Sequence, residues 1–249
     1  MRGNHGRDAS LVRIKAAGLA LVLLSGCAKG TFRYEVPVRE VRQAGNRVAV
    51  MPVILVLPVP RGAGVSADQA GRARSMYQSL LEDELAKRGF EVVPSTEVVA
   101  MREQLAGAFG AKIDHLGQVQ GLDRVGLVGM RSSLLGYVRD RLKAPLVLFP
   151  ALVETSVWSE NDPRRCEGLV RRPGERSSGI QVPGLVLELD LLEPSGTGRQ
   201  LWSSACLLGF LESDLVIVRT PLPLRPLLEN STMAERAVKF ALSSLVVGR

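Results

Sequence analysis

The sequence LVLELDLLEPSGTGRQLWSSACLL, residues 185–208, is the strongest indication of the fold. Leucine and valine alternate with polar residues in its first part, which is the period of a half-buried β-strand. The segment Glu193–Gly198 then contains one proline and two glycines, and a second apolar run follows it. Two such runs around a short turn predict a β-hairpin. The alternation also puts Glu188 and Asp190 on one face of the first strand, where we expect them to contact solvent.

Further strands and helices are predicted on both sides of this hairpin. Apolar runs and helical periodicity predict strands at 47–60, 90–94 and 144–158, and helices at 66–88, 95–105, 134–142 and 232–246. Capping-box spacing marks two helix starts, Ser66 with Gln69 and Thr232 with Glu235, and Ser95 is predicted to cap the helix that follows it. This order predicts a single-domain α/β sandwich, with a mixed sheet of about five strands and helices packed on its faces.

The domain limits follow from where these patterns begin and weaken. Residues 46–249 form the predicted α/β domain, and the polar, mixed segment 27–45 suits a tether or a leading strand before the domain. Two segments lack a clear period and are predicted to be loop insertions, one near 106–130 and one near 159–181.

The first 26 residues have the three-part layout of a secretory signal peptide. Basic residues up to Lys15 precede the apolar run Ala16–Leu24. This run is about half of the roughly 20 residues that a helix needs to cross a bilayer. A permanent transmembrane anchor is therefore disfavoured.

The residues Leu24-Ser25-Gly26-Cys27 end this apolar segment and resemble the lipobox of bacterial lipoproteins. The resemblance implies cleavage between Gly26 and Cys27 and a covalent lipid on Cys27. In many double-membraned bacteria an aspartate after that cysteine retains the protein in the inner membrane, but here the residue is Ala28. We therefore expect a lipid-anchored protein in the inner leaflet of the outer membrane, facing the periplasm. The alternative is an ordinary secretory signal with a chance cysteine.

Lipidation of Cys27 leaves Cys166 and Cys206, an even pair in a compartment where disulfides persist. A disulfide would join the predicted 159–181 loop to the second strand of the hairpin. Two unpaired thiols, one exposed and one buried, are the alternative, and the sequence leaves both open.

Four structural segments carry a wider resemblance: RVAVMPV, LLEDELAKRGFEVVP, APLVLFPALVE and LDLLEPSGTGRQLWSS. Their order resembles that of a group of envelope proteins, which includes the curli secretion lipoprotein CsgG, the lipoprotein activators of penicillin-binding proteins and the amino-terminal domain of TolB. The similarity covers roughly residues 45–247. It implies a shared fold and an envelope location, but its motifs carry no chemistry.

The mature chain offers few groups for catalysis or metal binding. His115 is its single histidine, and no Gly-x-Ser-x-Gly elbow accompanies it and Asp114. No ligand spacing typical of a metal site occurs. Gly62–Ala67 follows a strand and opens a helix, as dinucleotide-binding turns do, but no acidic residue ends a second strand at the expected distance. We therefore predict no catalytic residue, no metal site and no cofactor other than the lipid.

The net charge of +7 would suit a nucleic-acid partner, but residues 1–26 contribute +3 of it and leave with the signal peptide. We therefore expect no nucleic acid as a partner. The 159–181 loop contains five candidates for contact with an anionic lipid or partner: Arg164, Arg165, Arg171, Arg172 and Arg176. Acidic residues are interleaved with them, so a mixed, solvated loop is the alternative.

Together, these features predict a non-catalytic binding or assembly module, anchored to the cell envelope, that acts through an envelope protein partner or self-association. The alternative is a tethered hydrolase of glycan or lipid. Glu188 and Asp190 would serve such an enzyme only if they lay at a defined separation across a cleft.

Overall fold

The structure is a computed structural model that describes residues 34–35, 41, 43–159, 180–196, 198–211 and 223–245. Cys27, Cys166 and the five loop arginines lie outside the described residues. The lipidation, disulfide and anion-contact predictions made for them therefore stay predictions.

The described elements are, in chain order, β1 Tyr34–Glu35, β2 Arg47–Val50, β3 Ile54–Val56, α1 Val59–Ala63, α2 Ala67–Lys87, β4 Glu91–Val92, α3 Ser95–Ala108, β5 Lys112–Ile113, β6 Val119–Gln120, α4 Arg124–Asp140, β7 Leu146–Ser159, β8 Ile180–Glu193, β9 Arg199–Phe210, α5 Leu224–Glu229 and α6 Ser231–Ala241.

Strand β7 lies at the centre of a seven-stranded sheet with the order β1-β9-β8-β7-β2-β4, in which β3 also pairs with β7. β2 and β3 run parallel to β7. β8 runs antiparallel to it, from Val147 opposite Leu192 to Ser159 opposite Ile180. β9 pairs antiparallel with β8, which confirms the predicted hairpin. The sheet is therefore mixed, with its parallel and antiparallel halves meeting at β7.

The strand predicted at 47–60 is divided into β2 and β3. Pro52 lies between them, and proline has no backbone N–H to donate to a sheet. Val48 pairs with Leu146 and Ile54 with Ala151, so both short strands lie along the same edge of β7. The predicted α/β sandwich with a mixed sheet is confirmed. The strand number exceeds five because of this division and because β1 adds an edge to β9.

Helices lie on both faces of the sheet. On the first face, α2 packs against α5 and α6, and residues such as Leu81 of α2 are buried in one core with the leucines of β8, among them Leu187. On the second face, α3 and α4 pack against each other, and residues such as Val98 and Leu135 are buried in a second core with Val147 of β7. The sheet is therefore the middle layer of three.

One of the two predicted capping boxes is confirmed. The Ser66 hydroxyl accepts a hydrogen bond from the Gln69 backbone N–H at 3.2 Å, and the Gln69 side-chain oxygen accepts from the Ser66 N–H at 3.1 Å. The predicted start at Thr232 is wrong, because the Asn230 side chain caps α6 by accepting from the Met233 N–H at 3.0 Å. Asparagine is as favourable an N-cap as serine, so α6 begins earlier.

The segment 106–130, which was predicted to be a loop insertion, contains the end of α3, the two-stranded ribbon β5–β6 and the start of α4. The Asp123 side chain begins α4 by accepting a hydrogen bond from the Gly126 N–H at 2.8 Å. Ser95 does not cap α3, since it is the first helical residue and follows Pro94. In the described ranges, no helix combines the length and the apolar character needed to cross a membrane.

Replacing Ser66 by alanine is expected to lower the free energy of unfolding by about 1 kcal/mol, because it removes the acceptor for the Gln69 N–H. Urea denaturation followed by circular dichroism measures this change. The matched control is Ser75→Ala, at an exposed serine inside the same helix, where alanine is expected to be neutral or slightly stabilising. Equal losses at both positions would contradict the capping role.

Candidate functional site

A cavity of about 370 Å³ lies on the second face of the sheet, between β3 and β7 on one side and α4 on the other. Its wall is mainly apolar, and includes Met51, Ile54, Val56, Leu127, Met130, Leu134, Phe149 and Ala151. This volume falls within the range of small-molecule sites, about 300–1,000 Å³. The cavity is therefore the candidate functional site.

The β5–β6 ribbon closes one side of the cavity and is held by hydrogen bonds to β3. The Leu55 N–H donates to the Leu116 carbonyl at 2.9 Å, and the Gln118 side chain donates to the Leu55 carbonyl at 2.6 Å. The Asp114 carboxylate accepts from the Gln118 N–H and from the Gln120 side chain, both at 2.8 Å. Asp114, a sequence candidate for catalysis, therefore holds the ribbon turn together.

Gly117 makes this turn possible in two ways. Its φ of +82° lies in the left-handed region that glycine adopts without strain. A Cβ at this position would also come within 3.0 Å of the Arg74 guanidinium carbon. The turn therefore depends on a glycine at residue 117.

Arg102 of α3 contributes a buried positive charge to the cavity wall. Its side chain is 9% exposed and donates a hydrogen bond to the Gly117 carbonyl at 2.5 Å. Burial, followed by repulsion from Arg74, lowers the pKa of Arg102 to about 10. The guanidinium remains protonated at neutral pH.

Arg131 of α4 contributes a second, partly buried guanidinium. Its central carbon lies 5.7 Å from the centre of the Phe149 ring, within the distance of a cation–π contact. Its Nε is buried and has no hydrogen-bond partner. Burial lowers the pKa of Arg131, and the attraction of Asp190 opposes that effect. The cavity therefore borders a cation with an unsatisfied donor.

Glu188 and Asp190 are partly buried, so the prediction that they face solvent is wrong. On the sheet they lie opposite Ala151 and Phe149, two residues of the cavity wall. Burial, with repulsion from Asp190, raises the pKa of Glu188 to about 7. Burial also raises the pKa of Asp190 to about 6, although Arg131 and a 2.9 Å hydrogen bond from Gln200 act in the opposite direction.

These two carboxylates do not form the arrangement that a glycosidase needs. Glu188 and Asp190 lie two residues apart on one strand and point to the same face, rather than opposing each other across a cleft. Neither belongs to the cavity wall. Among its described residues, that wall has no carboxylate, imidazole, thiol, hydroxyl or amine side chain, and its polar side chains are Arg102, Arg131, Gln118 and Gln120.

The remaining sequence candidates lie away from the cavity wall. His115 is exposed, and its carbonyl accepts a 3.5 Å hydrogen bond from Arg74. Gly62 lies inside α1, so Gly62–Ala67 is a connection between two helices rather than a strand-to-helix turn. Cys206 is fully buried in the core of the first face. No cluster of metal-binding side chains occurs in the described part of the chain.

Sequence reasoning missed Arg102 and Arg131, although a signal for each was present. Arg102 lies four residues after Val98 and next to Met101, and Arg131 lies three residues before Leu134. Both arginines therefore occupy the apolar stripe of their helix, where a charged residue is unusual unless it is paired. A charged side chain in the apolar stripe of a helix indicates that a polar group or a ligand must be bound inside the fold.

Comparisons with known proteins leave the family unassigned. No family profile and no curated protein matches the chain. Similar solved structures include the dodecamer of a PelC variant from Paraburkholderia phytofirmans, at 15% identity and a TM-score of 0.33, covering 82% of this chain and 90% of that chain. The LpoB carboxy-terminal domain from Salmonella enterica has 18% identity and a TM-score of 0.31, covering 71% and 93%. A lipoprotein from Neisseria meningitidis has 14% identity and a TM-score of 0.28, covering 70% and 87%. At these values the likeness assigns neither a family nor a function.

Glu188→Gln is expected to raise the free energy of unfolding at pH 8. Because the folded-state pKa of about 7 is above the ordinary value, the folded state holds this proton more tightly than the unfolded state. Stability from Glu188 is thus present in acid and is lost as the pH rises through 7. Partial solvent screening limits the gain to about 1 kcal/mol.

Urea denaturation at pH 8 and pH 4 measures this effect, and the gain should disappear at pH 4. Asp83→Asn, at an exposed carboxylate of α2, is the control for the loss of one negative charge, and Glu188→Gln should raise the free energy of unfolding at pH 8 more than this control does. If Glu188→Gln instead lowered the free energy of unfolding at pH 8, the explanation that burial raises the pKa of Glu188 would be wrong.

Proposed function

We propose that this chain is a membrane-anchored lipoprotein of the cell envelope that acts as a non-catalytic binding or assembly module. The observation that carries this proposal is the composition of the cavity wall. Its described side chains can pack, donate hydrogen bonds and attract an anion, but none of them is an ordinary nucleophile or general base. A site of this composition suits binding and orientation rather than bond breakage.

The lipobox and the residues before it support the anchor. Two or more acyl chains on Cys27, at about 0.8 kcal/mol per buried methylene group, would hold the protein stably at a membrane. Ala28 favours the inner leaflet of the outer membrane, with the domain facing the periplasm. The module would therefore meet its partners at that surface.

Helix α4 supports an envelope protein partner or self-association. It forms one wall of the cavity, and outside the cavity it exposes two large apolar side chains, Val125 at 78% and Val128 at 48%. Single exposed apolar side chains are common on protein surfaces, but neighbouring ones next to a cavity favour a protein-binding surface.

A tethered hydrolase is the second candidate, because carboxyls with raised pKa values often occur in active sites. Glu188 and Asp190 have such values. Their common strand and their absence from the cavity wall favour the binding function instead.

Cys27→Ser is expected to remove the lipid and to move the protein from the membrane fraction to the soluble fraction or to leave it unprocessed. Immunoblots of cell fractions and intact-mass spectrometry of the protein measure this. Ala28→Ser is the matched control, because it changes the neighbouring residue and leaves the lipobox intact. An unmodified Cys27 in membrane-bound protein would refute the anchor.

A photo-reactive amino acid at position 125 is expected to crosslink to a specific envelope protein or to a second copy of this chain in growing cells. Mass spectrometry of the adducts identifies which of the two occurs. The same amino acid at position 79, an exposed serine of α2 on the opposite face of the sheet, is the control. If position 125 yields no adduct beyond those of position 79, the contact through α4 is wrong.

A further inference from the structure

We propose that the cavity binds a small amphipathic carboxylate, with its apolar body between the sheet and α4 and its carboxylate at Arg131. This inference rests on the proposed binding function and names the ligand class. It follows from the cavity's apolar wall, its positive charge and the unsatisfied guanidinium.

The apolar body follows from the shape and lining of the cavity. Met51 and Ile54 lie on one side, Leu127 and Met130 on the other, and Phe149 forms part of the floor. A volume of about 370 Å³ accommodates a molecule of roughly a dozen non-hydrogen atoms. Burial of such a body releases water from apolar surface, which is the main source of affinity in sites of this kind.

The negative charge follows from the two arginines. Arg102 and Arg131 both border the cavity, and no described residue of its wall carries a negative charge. The main chain already uses part of the Arg102 guanidinium through the Gly117 carbonyl. In contrast, Arg131 makes no hydrogen bond or ion pair with the described residues, and its buried Nε is left without a partner. A buried donor without a partner is costly, and an anion would remove that cost.

A carboxylate fits this position better than a phosphate. The planar guanidinium can donate two parallel hydrogen bonds to a carboxylate. Asp190 is close enough to attract Arg131, but it makes no ion pair with it, and one of its oxygens already accepts from Gln200. A doubly charged phosphate would face stronger repulsion from Asp190 and Glu188 than a singly charged carboxylate would.

The test uses three compounds with one apolar body: 4-phenylbutyrate, 4-phenylbutanol and 4-phenylbutylamine. The full-length chain is reconstituted in lipid nanodiscs and titrated by calorimetry, with empty nanodiscs as the blank. The carboxylate, with about a dozen non-hydrogen atoms, is expected to bind with a micromolar to millimolar dissociation constant. The alcohol should bind about tenfold more weakly, and the amine should not bind measurably.

Two variants place the ligand. Arg131→Gln should weaken binding of 4-phenylbutyrate about tenfold and change binding of the alcohol much less, because it removes the positive charge and the paired donors while keeping a polar side chain. Arg124→Gln, at an exposed arginine of the same helix, is the matched control and should bind like the natural chain. Ala151→Leu extends a side chain from the cavity wall and should weaken binding of both compounds.

The ligand proposal is overturned if 4-phenylbutyrate does not bind, if the alcohol binds as tightly, or if Arg131→Gln and Arg124→Gln bind alike. Unfolding of the Arg131 variant is detected by circular dichroism, and Ala151→Leu then locates the site independently. The lipid on Cys27 and the crosslinks from position 125 are measured separately. If 4-phenylbutyrate does not bind but position 125 gives a specific crosslink, the ligand proposal is refuted and the proposed binding function is not.

Discussion

Strand β7 fixes how the two halves of the sheet align with each other. This strand is paired along both edges, in parallel with β2 and β3 and antiparallel with β8. Its side chains alternate between two covered faces, with Leu146 and Leu148 in the first core and Val147 in the second. A shift of one residue in its register would exchange these faces, so both halves of the sheet have a single compatible alignment.

The cavity follows from that alignment together with the interruption at Pro52. β2 and β3 both pair with β7, but they are separate strands. β4 pairs with β2. The other edge of β3 is bound by the β5–β6 ribbon, through the hydrogen bond from Gln118 to the Leu55 carbonyl. The ribbon and α4 then enclose the space above Phe149 and Ala151.

Much of the fold could be predicted from local patterns, and the errors have local physical causes. The hairpin and the Ser66 box were predictable because alternation and capping act over a few residues. The start of α4 was missed because Gly126 and Gly129 weaken the helical pattern. A Cβ at Gly129 would come within 3.2 Å of the Phe109 ring, so this glycine allows close packing against α4. The need for glycine at position 129 becomes visible only when Phe109 and α4 have been placed in three dimensions.

The site was less predictable than the fold, since which face of β8 is covered depends on tertiary packing. Alternation correctly placed Glu188 and Asp190 on one face, but it could not show that this face is partly buried. The partial burial explains why both carboxyls have raised pKa values. The cavity lies on this same second face of the sheet, beside the two carboxyls. The packing of the helices on that face therefore accounts both for the cavity and for the partial burial of Glu188 and Asp190.

The two cavity arginines separate a structural role from a binding role. Both lie in the apolar stripe of a helix, and burial lowers the pKa of each. Arg102 has a main-chain partner, the Gly117 carbonyl, and so holds the ribbon turn in place. Arg131 has only a ring below it and a carboxylate at a distance, with one buried donor unused. Because Arg131, unlike Arg102, borders the cavity with that donor unpaired, the carboxylate of the proposed ligand would supply an acceptor that the described residues do not.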